Sequence, residues 1–152
     1  MDFSVTIEGL DKIQNATSEM QKAVAAEVNK ALFASAKKVE GDAKKSITAG
    51  GKTGRVYTRR SVTHQASAPG EAPASDTGRL VNSINSALNA SELESTVTAG
   101  EGAVKYAAML EFGTRHVAAR PFMFPALEQN KAWITERLAA AVRKAAAKSI
   151  GK

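Results

Sequence analysis

No cysteine occurs anywhere in the 152 residues. That one absence removes disulfides, thiolate metal sites and cysteine nucleophiles together, and it is compatible with a cytosolic setting. Histidine is nearly as scarce, with two in the chain, too few without cysteine for a convincing zinc set. Aromatic residues make up 5% of the sequence, so the core must be drawn from Ala, Val, Leu and Ile, which bury less area per residue. At about 25 cal/mol per Å² of apolar area such a domain folds but stands near the margin, and burial against neighbouring copies would help it. No apolar run approaches the ~20 residues of a membrane span, and the first residues lack the basic-then-apolar order of a signal peptide. The expectation is a soluble protein with no membrane partner that stays in the compartment where it is made.

What the chain has instead is positive charge, net +6, unevenly spread. Residues 1–47 net zero and 81–115 net −2, while 48–80 net +3 and 116–152 net +5. The excess therefore sits in a central loop and in the carboxy-terminal segment. It reads either as ordinary solvated lysines and arginines or as a surface facing nucleic acid or an acidic partner.

Along the chain, Phe3, Val5 and Ile7 alternate with polar neighbours as in a half-buried strand, which Gly9 ends. From Leu10 and Ile13 through Met20, Val24, Val28, Leu32, Val39, Ala43 and Ile47, apolar residues recur at helical spacing. This predicts one long amphipathic helix ending before Gly50-Gly51, with Gly41 a possible kink. Residues 48–76 are rich in Gly, Ala, Ser and Pro and read as an exposed arm, with a short hairpin inside "RVYTRRSVTH". Asp76-Thr77 offers a cap for a short helix presenting Leu80, Val81 and Ile84. "NSALNA" and "LESTVTAG" read as antiparallel strands joined near Ser91-Glu92. Tyr106, Met109 and Leu110 form a helical i, i+3, i+4 set that Gly113 ends. Pro125 opens a last helix with the stripe Leu127, Ile134, Leu138, Ala141, Val142 and Ala145. The fold class is α+β in a single domain, 1–152: a long amino-terminal helix on a small antiparallel sheet, an exposed central loop or hairpin, and a carboxy-terminal helix.

Chemistry-bearing patterns are thin. "GGKTG" at Gly50–Gly54 resembles the end of a phosphate loop, but the required first glycine is Ser46, and a helix rather than a strand precedes it. His64, Ser67 and Asp76 are the letters of a hydrolytic triad without a nucleophile elbow, and His116 lacks a carboxylate two or three residues away. Glu111, between apolar residues at a helix end, reads as the partner of a nearby Arg rather than as a general base. No catalytic, metal or cofactor site is expected. Arg55, Tyr57, Arg59 and Arg60 form a basic hairpin tip that could touch phosphate or an acidic partner, although one aromatic is little for base stacking. Proline-bracketed Phe122, Met123 and Phe124 are either core or an apolar edge for a neighbouring subunit, with Phe122 assigned to the core and Phe124 to the interface.

Two stretches carry a family likeness. "HQASAPGEAPASDTGRLVNSI" (64–84) followed by "YAAMLEFGTRHVAARPFMFPAL" (106–127) resembles the small head–tail joining proteins of long-tailed double-stranded DNA bacteriophages and prophages, also termed tail completion or neck proteins. The resemblance implies a long helix packed on a small sheet and a ring of copies, usually six. It implies a place between the head connector or stopper and the tail terminator or tube, with DNA passing through the lumen without sequence readout. It also implies a virion location, with assembly in the host cytoplasm and no catalytic residues. On this reading Arg55, Tyr57, Arg59, Arg60, Glu111, Phe112, Arg120 and Phe124 are the expected oligomer or partner contacts. The rival expectation is a free basic nucleic-acid-binding protein.

Overall fold

The computed structural model describes residues 1–6, 18–102 and 104–150. Strand β1 (Asp2–Thr6) is followed by helix α1 (Ser18–Thr48). The expected continuation of the strand to Ile7, its end at Gly9 and the helix start at Leu10 and Ile13 lie outside the described residues. Where α1 is described, the predicted stripe is the buried one: Val24, Val28, Leu32, Val39, Ala43 and Ile47 all point inward. The helix passes Gly41 without a break.

Strands β4 (Asn85–Asn89) and β5 (Glu94–Thr98) form the predicted hairpin, and β1 pairs with the far side of β5, giving the antiparallel order β1-β5-β4. Ser86 lies opposite Val97 and Leu88 opposite Ser95. This face is buried to half-buried against α1, whereas Asn85, Ala87 and Asn89 are exposed. Period-two alternation thus places one face on the core and leaves the other open. Helix α4 (Met123–Ile150) runs antiparallel to α1 on its other flank. Lys144 and Lys148 of α4 reach Glu27 at 3.0 Å each, and Asn130 reaches Asp42 at 2.8 Å. The expected stripe of α4 supplies buried Ile134, Ala141 and Ala145, with Leu127, Leu138 and Val142 partly covered.

Between α1 and β4 the chain forms the predicted hairpin, β2 (Val56–Arg59) and β3 (Val62–Gln65), closed by Arg60 and Ser61 with φ of 50° and 65°. Two positive φ values in a two-residue turn are the type I′ geometry that matches strand twist, here without glycine. The "GGKTG" stretch serves this region. Lys52 caps the Ser46 carbonyl at the end of α1, Thr53 binds Glu71, and a Cβ at Gly54 would lie 2.5 Å from the Ala66 and Ser67 carbonyl oxygens.

Within 48–76, the hairpin stands exposed, whereas 66–73 lies on the body of the protein. Ser67 and Pro73 are buried, Gly70 N–H donates to the Ala119 carbonyl at 2.9 Å, and the Glu71 carboxylate takes the Ala68 and Thr53 amides. Polar lacing, invisible to an apolar pattern, folds this piece down. Helix α2 (Arg79–Asn82) also departs from expectation: its N-cap is Gly78 at φ 74°, with no side-chain cap. Asp76 is drawn away to Arg59 at 2.7 Å and to His64 Nδ1 at 3.6 Å.

Three carboxylates make this fold acid-sensitive. Hydrogen bonds from Lys148 and then Lys144 lower Glu27 from the ordinary 4.5 to about 2. Burial pushes Glu40 up, but Lys37, Lys44 and Ser86 outweigh it and hold it at about 2. The Thr53 hydroxyl, then the Ala68 and Thr53 amides, lower Glu71 to about 2. A carboxyl depressed in the folded state stabilises fully above its unfolded value and loses that contribution as pH falls through the folded one. The melting temperature should therefore be nearly flat from about pH 7 to 5 and fall between about 4.5 and 2. Thermal melts across this range check it; Glu71→Gln should flatten the acid limb, and an unchanged limb would show that Glu71 contributes nothing to it.

Candidate assembly interface

Helix α3 (Ala107–Phe112) follows Tyr106 and carries Met109 and Leu110 of the predicted helical set. The set is split between the inside and the surface. Ala107 and Glu111 are buried and Leu110 is partly covered, while Tyr106, Met109 and Phe112, at i, i+3 and i+6, face outward. The reason lies eleven to thirteen residues downstream. The first backbone amides of an α-helix have no partner within it, and α4 has no acidic side chain in its first turn. Glu111 supplies the acceptor from another helix: its carboxylate takes N–H bonds from Phe122 at 2.8 Å, Met123 at 3.0 Å and Phe124 at 2.7 Å. A carboxylate at this end also meets the positive pole of the helix dipole.

Among the described residues Glu111 therefore pairs with no arginine. Arg120 turns instead to the Ser67 carbonyl, with Nε at 3.3 Å and Nη2 at 3.2 Å, and its own amide donates to Leu110. Gly113 makes the required reversal with φ 75°; a Cβ there would lie 2.8 Å from the Ala119 nitrogen and 2.9 Å from the Val117 oxygen. Thr114 closes the loop by accepting the His116 and Val117 amides on its hydroxyl. Both Glu111, 3% exposed, and Arg120 are thus engaged inside the subunit rather than presented to a partner.

Locking the entry of α4 in this way sorts the three large side chains. Phe122 and Met123 are fully buried, and Phe124 is 53% exposed. Phe124 lies across the buried carboxylate from Phe112, which is 69% exposed, and Tyr106, Met109 and Val117 are exposed along the same stretch. The result is an apolar ridge on a surface that the described residues leave uncovered. Sequence reasoning found Phe112 and Phe124 but missed Tyr106 and Met109, because a helical repeat says which residues share a face and not which face turns inward.

The hairpin adds positive charge beside this ridge. Arg55 and Arg60 are exposed, and Val56, Tyr57 and Val62 join them. Tyr57 stacks on His64 with ring centroids 5.5 Å apart, and Arg59 is held by Asp76. Arg59, Arg60 and Arg79 line a cleft of about 570 Å³ whose far wall includes Tyr106 and Leu110. Of the triad letters, His64 and Asp76 meet, but among the described residues no hydrogen bond joins them to the buried Ser67. Among the described residues no group of three or more His, Asp or Glu could hold a metal ion, and no helix is long and apolar enough to cross a membrane.

Residues 11–113, which take in α1, both hairpins and α3 with Glu111, match the family model described as "Bacteriophage HK97-gp10, putative tail-component". No curated protein and no solved structure matches the chain. The match agrees with the likeness to head–tail joining proteins carried by 64–84 and 106–127: the chain belongs to the HK97 gp10-like family of bacteriophage tail components.

Proposed function

We propose that this chain is an architectural, non-catalytic component of the neck of a phage or prophage, a tail completion protein that joins the head connector to the tail as a ring of copies around the DNA path. Its partners are further copies of itself, the connector or stopper on one side and the tail terminator or tube on the other. It assembles in the host cytoplasm and ends in the virion.

The observation that carries this reading is the exposed ridge of Tyr106, Met109, Phe112 and Phe124 beside an arginine-bearing hairpin. Aromatic residues, methionine and arginine are the types enriched where proteins meet proteins. A surface made for duplex DNA alone would rely on rows of cations and hydrogen-bond donors to phosphate. The basic excess still suits a lumen through which DNA slides, because phosphate contacts hold position without reading sequence.

Phe112→Ser tests it. With 69% of its surface already exposed, the side chain contributes little to folding, and the isolated variant should melt within about 0.5 kcal/mol of the parent. If Phe112 anchors a neighbour, losing about 2 kcal/mol at the interface should weaken that contact roughly thirtyfold and lower the yield of joined particles, with heads and tails accumulating separately. Normal joining by a folded Phe112→Ser protein would count against the ridge. Normal joining together with steep, salt-dependent duplex binding would favour a free nucleic-acid-binding protein.

A further inference from the structure

The cleft between the hairpin tip and α3 has a charge problem that the subunit does not solve. Three arginines line it, yet Asp76 answers only Arg59. Among the described residues the side chains of Arg60 and Arg79 have no hydrogen bond or ion pair. Two open guanidiniums in a concave site are suited to carboxylates, whose geometry the planar fork matches. At about 570 Å³ the cleft admits a loop tip rather than a helix.

The opposite charge lies at the other end of the same molecule. From residue 80 to residue 104 the sequence holds no Lys or Arg and three glutamates, Glu92, Glu94 and Glu101. Glu92 and Glu94 sit at the β4–β5 turn, where Glu92 is exposed and Asn89 donates a hydrogen bond to its carboxylate. The cleft is at the far end of the sheet, since Gly78 and Arg79 line it and α2 leads directly into Asn85, with Ser83 bonded to the Gly100 amide. Five residues of strand separate the two ends, roughly 17 Å. No subunit can bring its own turn into its own cleft across that distance.

We propose that the arginine cleft receives the acidic β4–β5 turn of a second copy of this chain. Turn and cleft are different surfaces, so the contact is head-to-tail; such contacts propagate from copy to copy and close into a ring when the rotation per step allows. The proposal rests on the ring-forming reading above and names the surfaces that would make the ring. Duplex phosphate is the other ligand that arginines attract, but a concave loop-sized site cannot take a convex duplex.

Paired charge reversals test the contact in the full chain. Arg60→Glu with Arg79→Glu makes cleft and turn both acidic; Glu92→Lys with Glu94→Lys makes both basic. Each variant alone should associate about tenfold or more weakly than the parent in sedimentation at low salt. An equimolar mixture should recover association, because each variant's cleft then meets a turn of opposite sign. A mixture as monomeric as its two components overturns the proposal. So does undiminished association of either variant alone, or a cleft variant whose loss is confined to binding of a duplex oligonucleotide. Mass spectrometry of purified particles keeps the two readings apart: absence of this chain from the neck sinks the function, whatever the mixture does.

Discussion

Phe122→Ala should destabilise the isolated subunit by about 3–5 kcal/mol, the usual cost of removing a phenylalanine ring from a closed core. Phe122 is fully buried and belongs to the main core cluster with Ile47, Ile84, Val97 and Met123. Few neighbours can collapse into the space, because much of that cluster is alanine on helix backbones: Ala36, Ala43, Ala107 and Ala126. Domain stabilities run from about 5 to 15 kcal/mol, so an alanine-rich example near the lower end would be mostly unfolded on warming. Phe124→Ala, two positions on, should change melting by no more than about 1 kcal/mol. In an extended chain residues two apart share a face; here α4 begins at Met123, and the helical turn carries Phe124 round to solvent. Urea denaturation of the two variants separates them. Equal losses would mean that the whole segment is core.

The apolar half of this fold was legible. Val24 to Ile47 on α1 are buried as their spacing predicts, and on α4 Ile134, Ala141 and Ala145 are buried with Leu138 and Val142 partly covered. Burial of apolar area drives these choices, and it leaves a period in the sequence. The polar half was not. Asp76 looked like a helix cap and became the partner of Arg59, a residue 17 positions away that only the hairpin brings near. Residues 66–73 looked like an arm and are laced down by Glu71 and Arg120. Each outcome is settled by a donor or acceptor that must be satisfied at long range, and no periodicity encodes where that partner lies. The interface shares the difficulty. Phe112 and Phe124 stood out as bulky residues near a turn, whereas Tyr106 and Met109 became surface only because Glu111 had to face inward.

That last constraint carries the second large effect. Glu111→Ala leaves three amides at the entry of α4 without their acceptor, two of them, from Phe122 and Met123, buried. Hydrogen bonds to a charged group are worth about 1.5–3 kcal/mol each and do not add fully when they share one acceptor, so the expected loss is about 3–5 kcal/mol. Glu111→Gln should lose less. Oε2 serves Phe122 and Met123 while Oε1 serves Phe124 alone, so a glutamine oxygen placed at the first position keeps two bonds and forfeits the one nearest solvent, at a cost of about 1–2 kcal/mol. Amide exchange at residues 122–124 should quicken in both variants, by the larger factor in the alanine, because protection there reports the local opening of the first turn of α4. The order alanine, glutamine, parent is the signature of a structural acceptor. A residue acting instead as a proton acceptor, or on a partner's surface, would leave melting and exchange of Glu111→Gln at the parent's values while head–tail joining failed. That result would return Glu111 to the list of contact residues and leave α4 without an explanation for where its first turn begins.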